Sequence, residues 1–485
     1  MISKYLLSIN LLNMSKGKSF YLTSTIFYPN AQLHMGHVYT MTICDIIARY
    51  QKLIGNETLF LTGSDENTAK IVKAAKEKGQ EVPEFLNEIT AGFKKLYSDL
   101  NISYDEFIQT TDQERHWPGA IKIWNSLGES GDIYKSKYTG LYCPQCEAFY
   151  TEKEVIDEKC PLHLIPLEKL EEENYFFRLS KYTGKIKNRI ESNELEIIPN
   201  TRRNEILAQL ERGLEDISFS RPVHTASHGI PVPNDPGQVM YVWCDALTSY
   251  ISGIGYGTDE ERFKKYWPAD VQVIGKDILR FHAAIWPAML LSAGLPLPKK
   301  LLVHGFITSG GHKMSKSIGN VIDPYELINE YGAEAVRYYV ARKLSLFEDG
   351  DMTVESFQDA YNGDLANGLG NLASRILTLS EKYLKTCPEI PKKSDFAEYF
   401  KFYESFDVRQ AADYIWKKIA ELDVLIQEKK PWESKDTQVI SDLVIRLYTI
   451  ARMLNPIMPE TSNKIKGLIK ANKKPSKPLF LRKDA

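Results

Sequence analysis

Cysteine is scarce, with six in 485 residues. That is too few for a secreted disulfide scaffold, and three of the six fall between Cys143 and Cys160, a clustering that points to metal binding in a reducing compartment. Excess charge of one sign is also missing: 61 Lys and Arg face 63 Asp and Glu, for a net charge of -2. A chain coated uniformly in positive charge, binding nucleic acid indiscriminately, is thereby excluded, while local basic patches stay open. There is no long apolar run. The longest, Phe281 to Leu297, is short for a span and is broken by His282 and Pro287, so no transmembrane helix is expected. Arginine is absent from the first 18 residues. That segment shares serines and a lack of acids with transit peptides, and Met14 offers an alternative start, but the expected address is cytoplasmic. What remains is ordinary for a folded chain, 43% hydrophobic and 26% charged, and at about 150 residues per domain the length suggests about three modules.

Ser19 to Phe27 is rich in β-branched and aromatic residues and reads as a strand ended by Pro29-Asn30. Val38 to Leu53 carries apolar residues at helical spacing before Gly55-Asn56 stops it. A short apolar run, Thr58 to Thr62, and a helical run, Thr68 to Lys78 with Gly79 behind it, complete a strand-helix-strand-helix order typical of a doubly wound parallel α/β sheet. Residues 133–225 break the rhythm and read as an insertion. Strand-like and helical pieces resume at Tyr241 to Tyr250 and Val271 to Leu290, followed by Leu301 to Thr308 and a Gly310-Gly311 turn. From about Tyr361, amphipathic stretches such as Val408 to Glu428 predict a separate all-α bundle.

Two clusters suggest phosphate chemistry. His34-Met35-Gly36-His37 stands after a strand at the start of a helix, where unpaired N–H groups and the positive dipole end favour anions; the histidines add donors, and Gly36 allows close approach of a base. Taken alone, these four residues also suit two surface histidines flanking a helix start. Lys313-Met314-Ser315-Lys316-Ser317 follows the last sheet strand and the glycine turn. Its two lysines can close on a polyphosphate and neutralise charge developing on a leaving pyrophosphate. A Lys/Ser loop by itself is usually only solvated.

The metal signal stands apart from these. Cys143-x2-Cys146, thirteen intervening residues and Cys160-x2-His163 give two chelating pairs at zinc-knuckle spacing. Four protein ligands close a tetrahedral site, so one structural zinc per chain is expected, with no position left for water. The competing reading is three buried thiols and a surface histidine. Cys44, Cys244 and Cys387 have no partner at metal spacing and read as buried free thiols.

Together, the histidine-glycine-histidine turn and the Lys-Met-Ser-Lys-Ser loop resemble the two signature motifs of class I aminoacyl-tRNA synthetases, and from Ser19 to Trp432 the chain is similar to the methionyl-tRNA synthetase family. Seven collinear segments carry the likeness: Thr23 to His37, Phe60 to Glu66, Tyr241 to Tyr250, Gly275 to Leu290, His304 to Asn320, Gly370 to Arg375 and Lys429 to Trp432. The resemblance implies a Rossmann-like doubly wound catalytic domain in two halves, 19–132 and 226–360, behind an N-terminal extension, 1–18. It further implies a connective insertion with a zinc knuckle, 133–225, and a helical-bundle anticodon-binding domain with a basic tail, 361–485.

By the same resemblance Asp65 holds the methionine amino group, and Ile26, Tyr28, Trp243, Ala246, Tyr250, Ile278 and His282 line the side-chain pocket. Sulfur–ring contacts worth about 0.3–1.5 kcal/mol suit such an aromatic wall. Asn30, His34, Gly36 and His37 fall to ATP, and Lys313, Ser315 and Lys316 to the loop closing over its phosphates, with Lys316 making the largest contribution. His34, His37, Lys313 and Lys316 are thus the catalytic candidates. The implied reaction is formation of methionyl-adenylate, with Mg²⁺ on the phosphates, then transfer to tRNA(Met). Asn371, Arg375 and Trp432 match the anticodon-reading residues, and stacking on Trp or Arg suits unpaired bases.

Some positions depart from the family. Asn67-Thr68 stands where His-Gly is common, and His228 where Trp is common; both put the local geometry of the amino-acid site in question. The chain ends soon after the bundle, which favours a monomer. From Lys464 to Ala485 eight Lys/Arg face one acid, Asp484, so the tail is either a phosphate-contacting element or a solvated end. A cysteine-specific class I enzyme, a small-molecule nucleotidyltransferase and a non-enzymatic zinc-containing RNA-binding module are the alternatives. The first uses dispersed zinc ligands, the second lacks the bundle, and the third leaves both phosphate motifs unexplained.

Overall fold

The computed structural model describes residues 17–144, 148–150, 155, 157, 159–161, 164–223, 229–314, 320–391 and 396–483. Six parallel strands form the central sheet: β1 (Ser19–Ser24), β2 (Glu57–Ser64), β3 (Glu106–Gln109), β4 (Glu196–Ile198), β5 (Val271–Gly275) and β6 (Lys300–His304). Their spatial order is β3-β2-β1-β5-β6-β4. The chain leaves β1 toward β2 on one side and takes up β5 on the other, so a topological switch point lies between β1 and β5, where ligands of doubly wound sheets bind.

Alternate strand residues serve two cores, as a period of two requires. Leu22, Phe60, Val273 and Leu302 pack on one face, while Tyr21, Leu59, Leu61, Leu301 and Val303 pack on the other. The predicted first strand stops early, at Ser24 rather than Phe27. Beyond it Thr25 to Tyr28 turn into a cavity, and Phe27 keeps only a single bridge to Ser64. The predicted helix behind β2 is observed at Ala69–Lys78, capped by Gly79 at φ 68°, a left-handed position that glycine takes without strain.

Residues 133–225 are not one excursion. Ile133–Cys143, Ala148–Tyr150, Glu168–Phe177 and Ile217–Ser218 build a separate four-stranded sheet, yet β4, inside the same range, returns as the edge strand of the central sheet. The helical C-terminal part is likewise not separate from the rest. Helices α1 (Met35–Leu53), α2 (Val242–Ser252), α3 (Ala333–Lys343), α4 (Asn371–Tyr383), α5 (Val408–Lys429), α6 (Thr437–Leu454) and α7 (Pro459–Ala471) include the bundle, and its apolar residues join those of α1, α3 and one sheet face in a single buried cluster.

A buried ion pair crosses that cluster. Arg337 on α3 meets Asp45 on α1 at 2.7 Å, both fully enclosed. The guanidinium also donates to the carbonyls of Ile457 at 2.7 Å and Pro456 at 2.9 Å between α6 and α7. The backbone of the basic tail is tied to the bundle over residues 480–483, while the side chains of Leu481 and Arg482 stay exposed. Asn362 brackets the backbone of Lys483 with its amide and carbonyl, Tyr361 donates to the Leu481 carbonyl, and the Phe480 ring meets Tyr361 edge-on. Cys44 and Cys244 are buried as expected, but Cys387 is only half-buried. Among the described residues no helix is long and apolar enough to cross a membrane.

Candidate active site

A cavity of about 480 Å³ opens at the C-terminal ends of β1, β5 and β6. One side is lined by Ile26, Tyr28, Asp65 and Trp243, together with Ala246, Tyr250, Ile278 and His282, so all eight residues expected around methionine come together. Asn30, His34, Gly36 and His37 line the other side. The twelve residues arrive from four chain segments, 26–37, 65, 243–250 and 278–282, which the switch point brings together.

The turn before α1 is built by its own side chains. His34 is the N-cap: its Nδ1 accepts from the Gly36 N–H at 3.0 Å, while the His34 N–H donates to Nδ1 of His37 at 3.0 Å. This is a capping box made from two imidazoles. Because both Nδ1 atoms accept, each neutral ring carries its proton on Nε2. Burial and the neighbouring His34 hold the pKa of His37 well below the ordinary histidine value, so it stays neutral. A Cβ on Gly36 would come within 2.9 Å of the His34 ring. The glycine therefore serves the cap, besides leaving room at the cavity.

On the opposite wall, Trp243 stacks on Phe281 with centroids 3.5 Å apart, and the buried indole N–H of Trp243 has no partner among the described residues. His282 sits on a π-helical turn, Phe281–Ile285. Its Nδ1 lies 3.0 Å from the Ile278 carbonyl, which can only accept, so Nδ1 carries the proton and Nε2 accepts from the Tyr250 hydroxyl at 2.9 Å. Burial pushes the His282 pKa down to about 4 and raises that of the Tyr250 phenol. Trp243, Tyr250 and His282 are therefore uncharged, and Asp65 adds a buried carboxylate to the same lining.

Sequence reasoning missed Asp277, His304 and Met314, which also line the cavity. His304 ends β6; its Nδ1 donates to the Gly305 carbonyl at 2.8 Å and its Nε2 faces the Thr40 hydroxyl of α1 at 2.9 Å. Position at the C-terminal end of a core strand was the available signal. The glycine turn is a two-residue hairpin with Gly310 and Gly311 at φ 62° and 75°, the combination that a tight turn between twisted strands demands. Asp351 holds it by accepting from the Gly311 N–H and the Thr308 hydroxyl, each at 2.8 Å. Lys313 follows on a short strand, His312–Lys313; Ser315 and Lys316 lie outside the described residues, as does His228.

Cys143 and Cys160 are fully buried in one small cluster with Tyr150. Cys160 follows the Lys159–Pro166 bridge, with the Leu164 N–H donating to the Cys160 carbonyl at 2.8 Å. Two thiols drawn together suit a soft metal; Cys146 and His163 lie outside the described residues. In the bundle, Asn371 and Arg375 share one face of α4 at a spacing of four. The Arg375 guanidinium lies 5.9 Å over the Trp432 ring and is paired with Asp423 at 2.9 Å. Trp432 is 39% exposed, open to stacking.

Sheet order and cavity place the chain in a known class: the family model described as tRNA synthetases class I (M) matches residues 20–165 and 163–377. The methionine-tRNA ligase of Thermotoga maritima is 42% identical over 483 residues, covering 94% of this chain and 76% of that protein. The one from Caldanaerobacter subterraneus subsp. tengcongensis is 43% identical over 475 residues, covering 92% and 73%. Among solved structures, Mycobacterium tuberculosis methionyl-tRNA synthetase in complex with methionyl-adenylate superposes with a TM-score of 0.87 at 36% identity, over 92% of this chain and 93% of that one. The chain belongs to the methionyl-tRNA synthetase family.

Proposed function

We infer that this chain is a methionine-tRNA ligase, activating methionine with ATP to methionyl-adenylate and pyrophosphate, then charging the 3′-terminal adenosine of tRNA(Met). The observation that carries this reading is that uncharged aromatic residues and the imidazole-capped helix start line one and the same cavity. In the first step a methionine carboxylate oxygen attacks the α-phosphorus and the bond to the bridging β-oxygen breaks, releasing pyrophosphate. In the second, the ribose hydroxyl attacks the activated carbonyl and AMP leaves.

The chain's own part is positioning and charge stabilisation. Asp65 binds the substrate ammonium, while Ile26, Tyr28, Trp243, Ala246, Tyr250, Ile278 and His282 enclose the thioether. The Nε2–H groups of His34 and His37 serve as phosphate donors with Asn30 and Gly36 beside them, and Lys313, Ser315 and Lys316 close over the polyphosphate. Mg²⁺ bound with ATP adds neutralising charge. Asn371, Arg375 and Trp432 read the anticodon. A monomer in the cytoplasm fits a chain whose thiols are needed reduced for metal.

Pyrophosphate exchange with each of the twenty amino acids tests the reading. Exchange supported by methionine alone is expected; exchange with cysteine instead, or with none, would overturn it.

Zinc is assigned to Cys143, Cys146, Cys160 and His163 as a structural ion, supported by the two buried thiols that the fold brings together. Elemental analysis of the purified chain should find about one zinc per molecule, matching one four-ligand site. A content well under one zinc would remove the assignment.

A further inference from the structure

The turn after β2 carries Asp65, Glu66 and Asn67, and only the first lines the cavity. The Glu66 carboxylate is spent on the protein itself: it accepts from the Ser64 hydroxyl at 2.5 Å, from Gln109 Nε2 at 2.9 Å and from the Thr111 hydroxyl. Asn67 Nδ2 donates to the Thr110 carbonyl at 2.9 Å and to Asp245 Oδ2 at 2.8 Å. The second oxygen of Asp245 lies 2.5 Å from His116 Nε2, and His116 Nδ1 lies 2.7 Å from the Ser252 hydroxyl. Asp245 and His116 are 0% exposed and Asn67 is 7% exposed. Asp245 sits on α2 between Trp243 and Ala246, both of which line the cavity.

A carboxylate this deeply enclosed is tolerated only when donors satisfy it, and here the donors come from two different elements. Their geometry therefore fixes the turn that bears Asp65 and the helix that bears Trp243 relative to each other. We propose that Asn67 and His116 are positioning residues for the amino-acid half of the cavity, acting through the Asp245 carboxylate they share. The proposal rests on the reading of that half as the methionine site. Removing the Asn67 donor lets α2 and the turn move apart, which loosens the site for the amino acid while the His34–His37 turn, on other elements, is untouched.

Steady-state pyrophosphate exchange tests this. Asn67→Ala should raise KM for methionine about ten-fold with KM for ATP within about two-fold of wild type, the signature of lost binding confined to one substrate. Asn67→His, which restores an N–H donor, should recover most of the loss, and Asn67→Leu should not. Ser252→Ala, at the far end of the relay, should raise the same KM about three-fold by removing one neutral hydrogen bond, and it reads the relay even if Asn67→Ala fails to fold. Unchanged methionine KM in the folded variants, equal losses for both substrates, or rescue by Leu would overturn the proposal. If wild type exchanges with another amino acid, the function reading falls and the same KM shifts are expected for that amino acid.

Discussion

Arg337→Ala is expected to destabilise the protein by about 3–5 kcal/mol, the usual result of removing one partner from an enclosed ion pair. Asp45 would be left with Arg49 at 2.7 Å and the two Ser103 donors at 2.7 Å, while the carbonyls of Ile457 and Pro456 would lose their donor inside the core. The loss falls where the sheet, α1 and the bundle share one cluster, so both parts should melt together at a lower temperature. Burial by itself would raise the Asp45 pKa, but Arg337, Arg49 and Ser103 more than offset it and the net shift is downward. The pair's contribution is therefore full above the ordinary carboxylate range and fades as pH falls through the depressed native value. Wild type should lose stability on acidification more steeply than the variant. Thermal melts of Arg337→Ala and of the Arg337→Met/Asp45→Asn double variant at neutral and acid pH check this. A double variant no more stable than the single one would show that the buried charge is not the cause.

Arg337 also shows why some of the structure was hidden from the sequence. In AEAVRYYVARK it looks like any arginine on a solvated helix face, and only the packing of α3 between α1 and the α6–α7 connection encloses it. The same holds for β4, three residues long, too short for a period of two to declare itself within a segment read as an insertion. Asp277 and His304 were missed for a related reason: strand order, which no local signal carries, brings the ends of β5 and β6 beside β1. Local chemistry was legible where it is self-contained. Gly79 ends its helix in the left-handed region, the Gly310-Gly311 pair makes its hairpin, and the helix begins at the His34–His37 turn. The eight residues around the aromatic wall came from family likeness rather than from any pattern in the chain. Their meeting in one cavity is what the fold adds. Asn67, noted only as a departure, turns out to be doubly hydrogen-bonded.

Asp65→Asn should lower kcat/KM for methionine by about a hundred- to a thousand-fold, since truncating one member of an enclosed, hydrogen-bonded charge pair costs about 2–5 kcal/mol. In the free enzyme this carboxylate is 3% exposed and lines the cavity with the uncharged aromatic residues, and its charge helps to raise the pKa of the Tyr250 phenol. A substrate ammonium entering there sheds its water and needs a full negative charge to replace it; an amide of the same shape supplies only a dipole. The effect should therefore be specific to the amino acid. KM for ATP should stay near wild type because His34 and His37 belong to a separate turn, and the melting temperature should change far less than kcat/KM because the amide keeps the volume of the side chain. Exchange kinetics with methionine and with methioninol separate the two halves of the substrate's recognition. The alcohol retains the ammonium but lacks the carboxylate, so as an inhibitor it should weaken in Asp65→Asn by the same factor as methionine. Inhibition by methioninol that is unaffected by the substitution would place the ammonium elsewhere in the cavity.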